Sequence, residues 1–311
     1  MKILDIIDKT TLVELCKPNN KVAVQHLIYR IVGEFLLFVI AVFLFENYFI
    51  LSLVLFYMCA VWHGFWGYAG IGHEFYHGRV FSNFTINRLL YRLASYLTWN
   101  NPEFFRLSHN YHHRNTFATD DGEAFSTQDW RPLAIFFYIG VDIPLVFRRL
   151  FYAIINSAGF TISQKKINRI GVRFQVESIL MLTFHFFTHL AIYNILLNFG
   201  FNIIWFLLPF TGQFLNRLLA QSQHIGLASL KKEGALKHSR TLLLPRLLEF
   251  LYAGMNFHVE HHLMPAIPYY KLPKLNALLV ERNLLVCADT KTFLSVDIWK
   301  LIQEQSRIIK K

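Results

Sequence analysis

The chain has 311 residues, 54% hydrophobic and 16% aromatic, with a mean hydropathy of +0.34, a net charge of +11 and only 16% charged residues. A water-soluble domain carries about a quarter charged residues, so this balance argues for a chain solvated by lipid. Cys16, Cys59 and Cys287 contain no C-x-x-C pair, which argues against a disulfide framework or thiolate metal site and leaves them as small buried hydrophobes.

At the N-terminus, Asp5, Asp8 and Glu14 interrupt MKILDIIDKTTLVELCKPNN; this does not suit a cleaved leader, and the mature protein is expected to start where the sequence does. Between Arg30 and Arg79 lie 48 residues without Lys or Arg, and between Arg173 and Arg217 another 43. A bilayer-spanning helix needs about 20 residues, so each gap predicts a helical hairpin. The first has spans near 31–45 and 49–71, turning at Glu46-Asn47; the second has spans near 174–197 and 201–221, turning at Asn198-Phe199-Gly200. Every Lys and Arg lies outside the gaps, so the positive-inside rule predicts cytoplasmic termini and cytoplasmic segments 72–173 and 222–311. Topology and anionic lipid then account for the positive charge, and no nucleic-acid partner is expected.

The glycines of WHGFWGYAGIGH (Gly64, Gly67, Gly70, Gly72) are expected to permit close helix packing, with a wall for an acyl chain as the other reading. Asp120, Asp121 and Glu123 read as a solvated turn, or as groups that orient a ligand or dock a partner. The apolar segment from Pro132 to Asn156 contains Asp142, Pro144 and Arg148-Arg149, which predicts that it lies in the interface. The chain beyond residue 284 carries no assignable chemistry. No linker or tandem repeat divides the sequence. The expected architecture is one membrane-embedded domain over 1–311: an all-α integral membrane protein with four transmembrane helices in two hairpins and a cytoplasmic helical cap holding a dimetal site.

Eight of the 14 histidines occupy three five-residue stretches: HEFYH (73–77), HNYHH (109–113) and HVEHH (258–262). Helix positions i, i+3 and i+4 share a face with β-carbons about 5–6 Å apart, so each stretch is a preformed half-site for a metal. Two crossings separate the second stretch from the third, which places all three on one side of the membrane. Eight imidazoles exceed the roughly four ligands at which structural zinc saturates, so the count predicts two metals; imidazole suits Zn, Cu, Fe and Ni. The candidate ligands are His73, His77, His109, His112, His113, His258, His261 and His262. His224, in QSQHIG at the cytoplasmic end of the fourth span, fits either a ninth ligand or an interfacial hydrogen-bonded histidine. Glu74 and Glu260 lie about 100° and 200° around a helix from the neighbouring box histidine, which suits orientation of ligand rings or a solvated face better than ligation.

HEFYH, HNYHH and NFHVEHHLMPAIPYYKLPKLN resemble the three histidine boxes of the membrane fatty acid desaturase family, over roughly residues 60–280. Glu74 stands where members often carry Asp. The resemblance implies a non-haem diiron oxidoreductase with two iron ions and dioxygen as co-substrate, and it favours His224 as a ligand. It implies desaturation of an acyl chain carried as acyl-lipid, acyl-CoA or acyl-carrier, with lipid hydroxylation on the same scaffold as the alternative. Neither a flavin or nicotinamide fingerprint, nor a ferredoxin cysteine set, nor a fused haem domain is present. An external ferredoxin or small cytochrome is therefore expected at the basic cytoplasmic face.

Two other classes compete. HEFYH fits the zinc-protease pattern H-E-x-x-H with Glu74 as general base, which leaves two boxes unexplained. A metal transporter would use His63, His185 and His189 within the spans, although pairing with nearby polar groups accounts for them equally.

Overall fold

A computed structural model describes residues 7–116, 123, 130, 132–163, 166–169, 171–227, 235–288 and 290–309. Asp120 and Asp121 lie outside these residues. Helix α1 (Lys9–Cys16) is capped by Asp8, whose carboxylate accepts from Thr11 N at 2.9 Å. Helix α2 (Asn20–Leu44) packs against α3 (Phe49–Gly64) so closely that a Cβ on Gly33 would come within 2.6 Å of the Trp62 ring. Two stretches, Lys9–Leu44 and Val172–Leu196 (α9), are long and apolar enough to cross a membrane. The helices Phe49–Gly64 and Phe199–Phe210 are shorter apolar ones. Phe35, Phe43, Phe186, Phe187 and Ile195 point outward, whereas a core helix of a water-soluble protein buries such side chains.

Three histidines inside these helices each have at least one protein partner. His63 sits between the Glu34 carboxylate (2.5 Å) and the Leu97 carbonyl (2.9 Å), and the Trp66 indole N–H also donates to Glu34. His185 Nε2 donates to the Tyr96 carbonyl at 2.8 Å while its ring stacks on Trp99 at 3.8 Å, and His189 Nδ1 lies 3.0 Å from Asn202 Oδ1. These contacts favour the structural reading of the three histidines over a transport site.

Two expected spans end early, for backbone reasons. The second stops at Gly64, short of residue 71, because the chain folds sharply between Phe65 and Gly70: Ile71 N donates to Phe65 O and Gly72 N to Trp66 O. A Cβ at Gly70 would fall 2.1 Å from Phe65 O, and one at Gly72 2.6 Å from Trp66 O. These two glycines serve the turn and not, as expected, helix packing. Gly70→Ala should therefore destabilise the protein by about 1–3 kcal/mol or more, read as a lower melting temperature, because the clash is with backbone that cannot yield.

The expected fourth span is broken into α10 (Phe199–Leu207), a 3-10 turn at Leu208–Phe210 and α11 (Phe214–Ser222). Pro209 has no N–H, Gly212 takes φ +64, and the freed backbone is used by the segment expected at the interface: Asp142 N donates to Phe210 O and Gly212 N to Gly140 O. That segment is itself two helices, α7 (Pro132–Ile139) and α8 (Ile143–Ser157), the second capped by Asp142, which also pairs with Arg217 at 2.6 Å. The one departure from an all-α chain among the described residues is a hairpin, β1 (Phe160–Ser163) antiparallel to β2 (Lys166–Arg169).

The remaining helices form a cap against the ends of α3 and α11. They include α4 (Ile71–His77), α5 (Phe84–Leu97), α6 (Pro102–Asn115), α12 (Ala235–His238), α13 (Arg246–Leu251), α14 (His258–Leu263) and α15 (Leu272–Glu281). Buried Phe75, Phe105, Val259, Leu272, Leu275 and Leu279 share one apolar cluster, which fixes α4, α6 and α14 relative to one another. Arg30 of α2 anchors the cap to the long helix by donating to the Phe250 and Leu251 carbonyls at 2.5 and 3.1 Å.

Candidate metal centre

Each histidine box is held on a helix whose ends are defined by its own sequence. Helix α4 begins after the glycine turn and ends at Gly78 in the left-handed conformation (φ 70), so His73 and His77 occupy one face. Helix α6 starts at Pro102 with Asn101 as its cap; the Asn101 amide also donates to Ser178 Oγ (2.8 Å) and the Phe174 carbonyl (3.0 Å), tying the second box to α9. Helix α14 carries the third box and contributes Val259 to the same apolar cluster. His224 follows α11, and its Nδ1 donates to the His238 carbonyl at 3.0 Å.

The nine histidines singled out in the sequence gather in two groups: His73, His77, His109, His113 and His261 in one, and His112, His224, His258 and His262 in the other. Within each group the nitrogens lie within 4.8 Å of one another, and the groups abut through His113 and His262, whose rings are 4.7 Å apart. His109 Nε2 lies 3.1 Å from His77 Nε2 and 2.9 Å from His113 Nε2; His258 Nε2 lies 2.8 Å from His224 Nε2 and 3.0 Å from His262 Nε2.

These contacts are not an ordinary hydrogen-bond network. His73 Nδ1 donates to Glu74 (2.8 Å), His109 Nδ1 to Glu123 (2.7 Å) and His224 Nδ1 to a carbonyl, so in each neutral ring Nε2 carries a lone pair facing other imidazoles. One lone pair cannot accept well from two neighbours. His73 Nε2, His258 Nδ1 and both nitrogens of His261 are buried with no hydrogen-bond partner. Buried polar atoms are ordinarily paired, and lone pairs converging on a common point are what a cation satisfies. Two nitrogens at right angles about an ion ~2.1 Å away would lie ~3.0 Å apart, which the observed spacings fit. Burial and the neighbouring rings hold His73, His77, His109, His258, His261 and His262 well below the usual imidazole range, keeping them in the neutral form a metal needs.

The carboxylates divide differently from expectation. Glu74 accepts from His73 Nδ1 and lies 3.7 Å from His261 Nδ1, and burial pushes it up to about 8. Glu260 instead accepts from Thr241 Oγ1 and Asn276 Nδ2, both at 2.6 Å, and so ties α14 to α15. Its expected role in orienting ligand rings gives way to a scaffold role. Glu123, read from sequence first as a solvated turn, instead accepts from His109 Nδ1 and Ser108 Oγ. His238, whose ring lies 5.7 Å from that of His262, is a neighbour that sequence reasoning passed over because it belongs to no box. A cavity of about 480 Å³ reaches His73 and His109 of the first group and His112, His224 and His258 of the second.

A family model described as fatty acid desaturase matches residues 48–288, more than three quarters of the chain, and the protein belongs to that family. Membership makes it an oxidoreductase of lipid metabolism, associated with membranes. A search of curated proteins finds no match.

Proposed function

We propose that this member of the desaturase family holds two iron ions in its two histidine groups and uses dioxygen to introduce a double bond into an acyl chain. The observation that supports this most is the pairing of two all-imidazole groups, each with convergent nitrogens, at one cavity. When bound, the iron supplies the oxidising power to remove hydrogen from an unactivated methylene, chemistry beyond any side chain. The chain's own residues do the rest. Glu74, Glu123 and the His238 carbonyl fix the tautomers of His73, His109 and His224, and the apolar cluster beneath α4, α6 and α14 keeps the rings in register.

Desaturation removes two hydrogens from adjacent carbons, and with dioxygen, two external electrons and two protons yields an alkene and two waters. Returning one oxygen to the carbon instead gives an alcohol, the second reading on the same site. A separate ferredoxin or small cytochrome supplies the electrons, docking on the basic face by charge complementarity. The topology that fits is four crossings in two hairpins, α2 with α3 and α9 with the broken α10–α11, with both termini and the histidines cytoplasmic. At about 1.5 Å per residue α3 is about 24 Å long against a hydrocarbon core of about 30 Å, so this pair needs local thinning or the flanking turns to complete its crossing.

Metal analysis of protein purified without chelators should give about two irons per chain. Lipid profiling of an expressing host should show new alkenes; new alcohols would select the hydroxylase reading. One zinc per chain with peptide cleavage would overturn both in favour of a metalloprotease.

A further inference from the structure

The cavity that reaches the histidines is also lined by Arg148, Arg149 and Arg217. Arg217 is committed to Asp142. Arg148, which is exposed, and Arg149, which is half-buried, make no hydrogen bond or ion pair among the described residues. Glu123 is the one acidic side chain lining the cavity among the described residues, and it is engaged by His109 and Ser108. Gln221, three positions before His224 and buried, also lines the cavity, and its side-chain amide makes no hydrogen bond among the described residues. A passage for hydrocarbon alone has no use for guanidinium and amide groups that bond no other side chain, since facing them with an apolar chain costs free energy. A planar guanidinium fork matches an oxyanion with two parallel hydrogen bonds.

We propose that Arg149, assisted by Arg148, binds the anionic head of the substrate inside this cavity, so that head and reacting carbon share one compartment of about 480 Å³. The substrate class is a lipid with a compact oxyanion head, a carboxylate or a phosphate monoester, oxidised close to that head. This rests on the cavity being the substrate site of the proposed reaction. Burial and the neighbouring Arg148 lower Arg149 to about 10, which leaves it a cation at neutral pH.

The test measures binding without turnover, using the iron-loaded protein in phosphatidylcholine nanodiscs with no electron donor. Palmitate, hexadecyl phosphate and hexadecanol share a chain and differ in head. One or both anions should bind at least about tenfold more tightly than the alcohol, as expected for hydrogen bonds to a charged group, and their order tells carboxylate from phosphate. Arg149→Gln should abolish the preference, and Arg148→Gln, at an exposed position, should narrow it even where the first variant does not fold. Arg88→Gln, on the surface of α5, should leave it intact. Equal binding of the alcohol, or a preference that survives both cavity variants, overturns the proposal. Anion preference without any oxidised lipid from the complete system would sink the reaction and leave this site standing.

Discussion

His261→Ala should leave a folded, membrane-inserted protein that has lost one metal and all measurable turnover. His261 is fully buried, its ring lies 4.6 Å from those of both His73 and His77, and neither of its nitrogens has a hydrogen-bond partner. Loss of an orienting partner typically costs 10–100-fold in metal affinity or activity, so loss of a ligand should cost more than about 100-fold. Stability should respond differently. Truncating a large buried side chain costs about 2–5 kcal/mol in lost packing. Removing two buried, unpaired nitrogens returns about 1–3 kcal/mol for each. In metal-free protein these offset, and the melting temperature should move by only a few degrees. Only the native sequence should gain stability from added iron in full, because a ligand that binds the folded state alone stabilises it by mass action. His112→Ala should likewise cost the second group its metal and abolish turnover. Turnover retained in both variants would dissolve the metal assignment; collapse of the metal-free fold would assign His261 to the core.

Why the histidines could be read in advance while other features could not follows from the range of the information. The i, i+3, i+4 spacing is local and the apolar runs between the boxes can be counted, so the gathering of HEFYH, HNYHH and HVEHH was legible. The helix ends were not. Gly64 to Gly72 reads as a small-residue packing stripe or a wall for an acyl chain, and the turn shows only in the close approach of Phe65 O to Gly70 and of Trp66 O to Gly72. Likewise Thr211 pairs with Val141, and that break in the expected fourth span depends on a partner some 70 residues away. Glu123 looked solvated because its neighbours in sequence are acidic, whereas its functional neighbour, His109, lies one helix back.

Glu74 and Glu260 show the same limit and yield the second large effect. Each sits inside a box beside a candidate ligand histidine, and sequence position suggests one role for both. In space they part: Glu74 holds His73 and approaches His261, while Glu260 bonds Thr241 and Asn276 and holds helices together. Glu74→Leu should therefore weaken metal binding about 10–100-fold, because His73 loses the acceptor that keeps its Nδ1 protonated and its Nε2 free to ligate. Melting of the metal-free protein should change little, since the unpaired His73 N–H is offset by removal of a carboxyl that burial had already made costly. Glu260→Leu should do the reverse. It strands the Thr241 hydroxyl, at about 1–3 kcal/mol, and leaves the Asn276 amide only its long contact to Cys287 Sγ (3.4 Å), lowering stability by about 2 kcal/mol, while whatever folds binds metal with near-native affinity. Thermal melting without metal and iron titration with it separate the two. If the variants prove indistinguishable in both measurements, the division of labour between these carboxylates is wrong, and the third box owes its position to packing of Val259 and Leu272 alone.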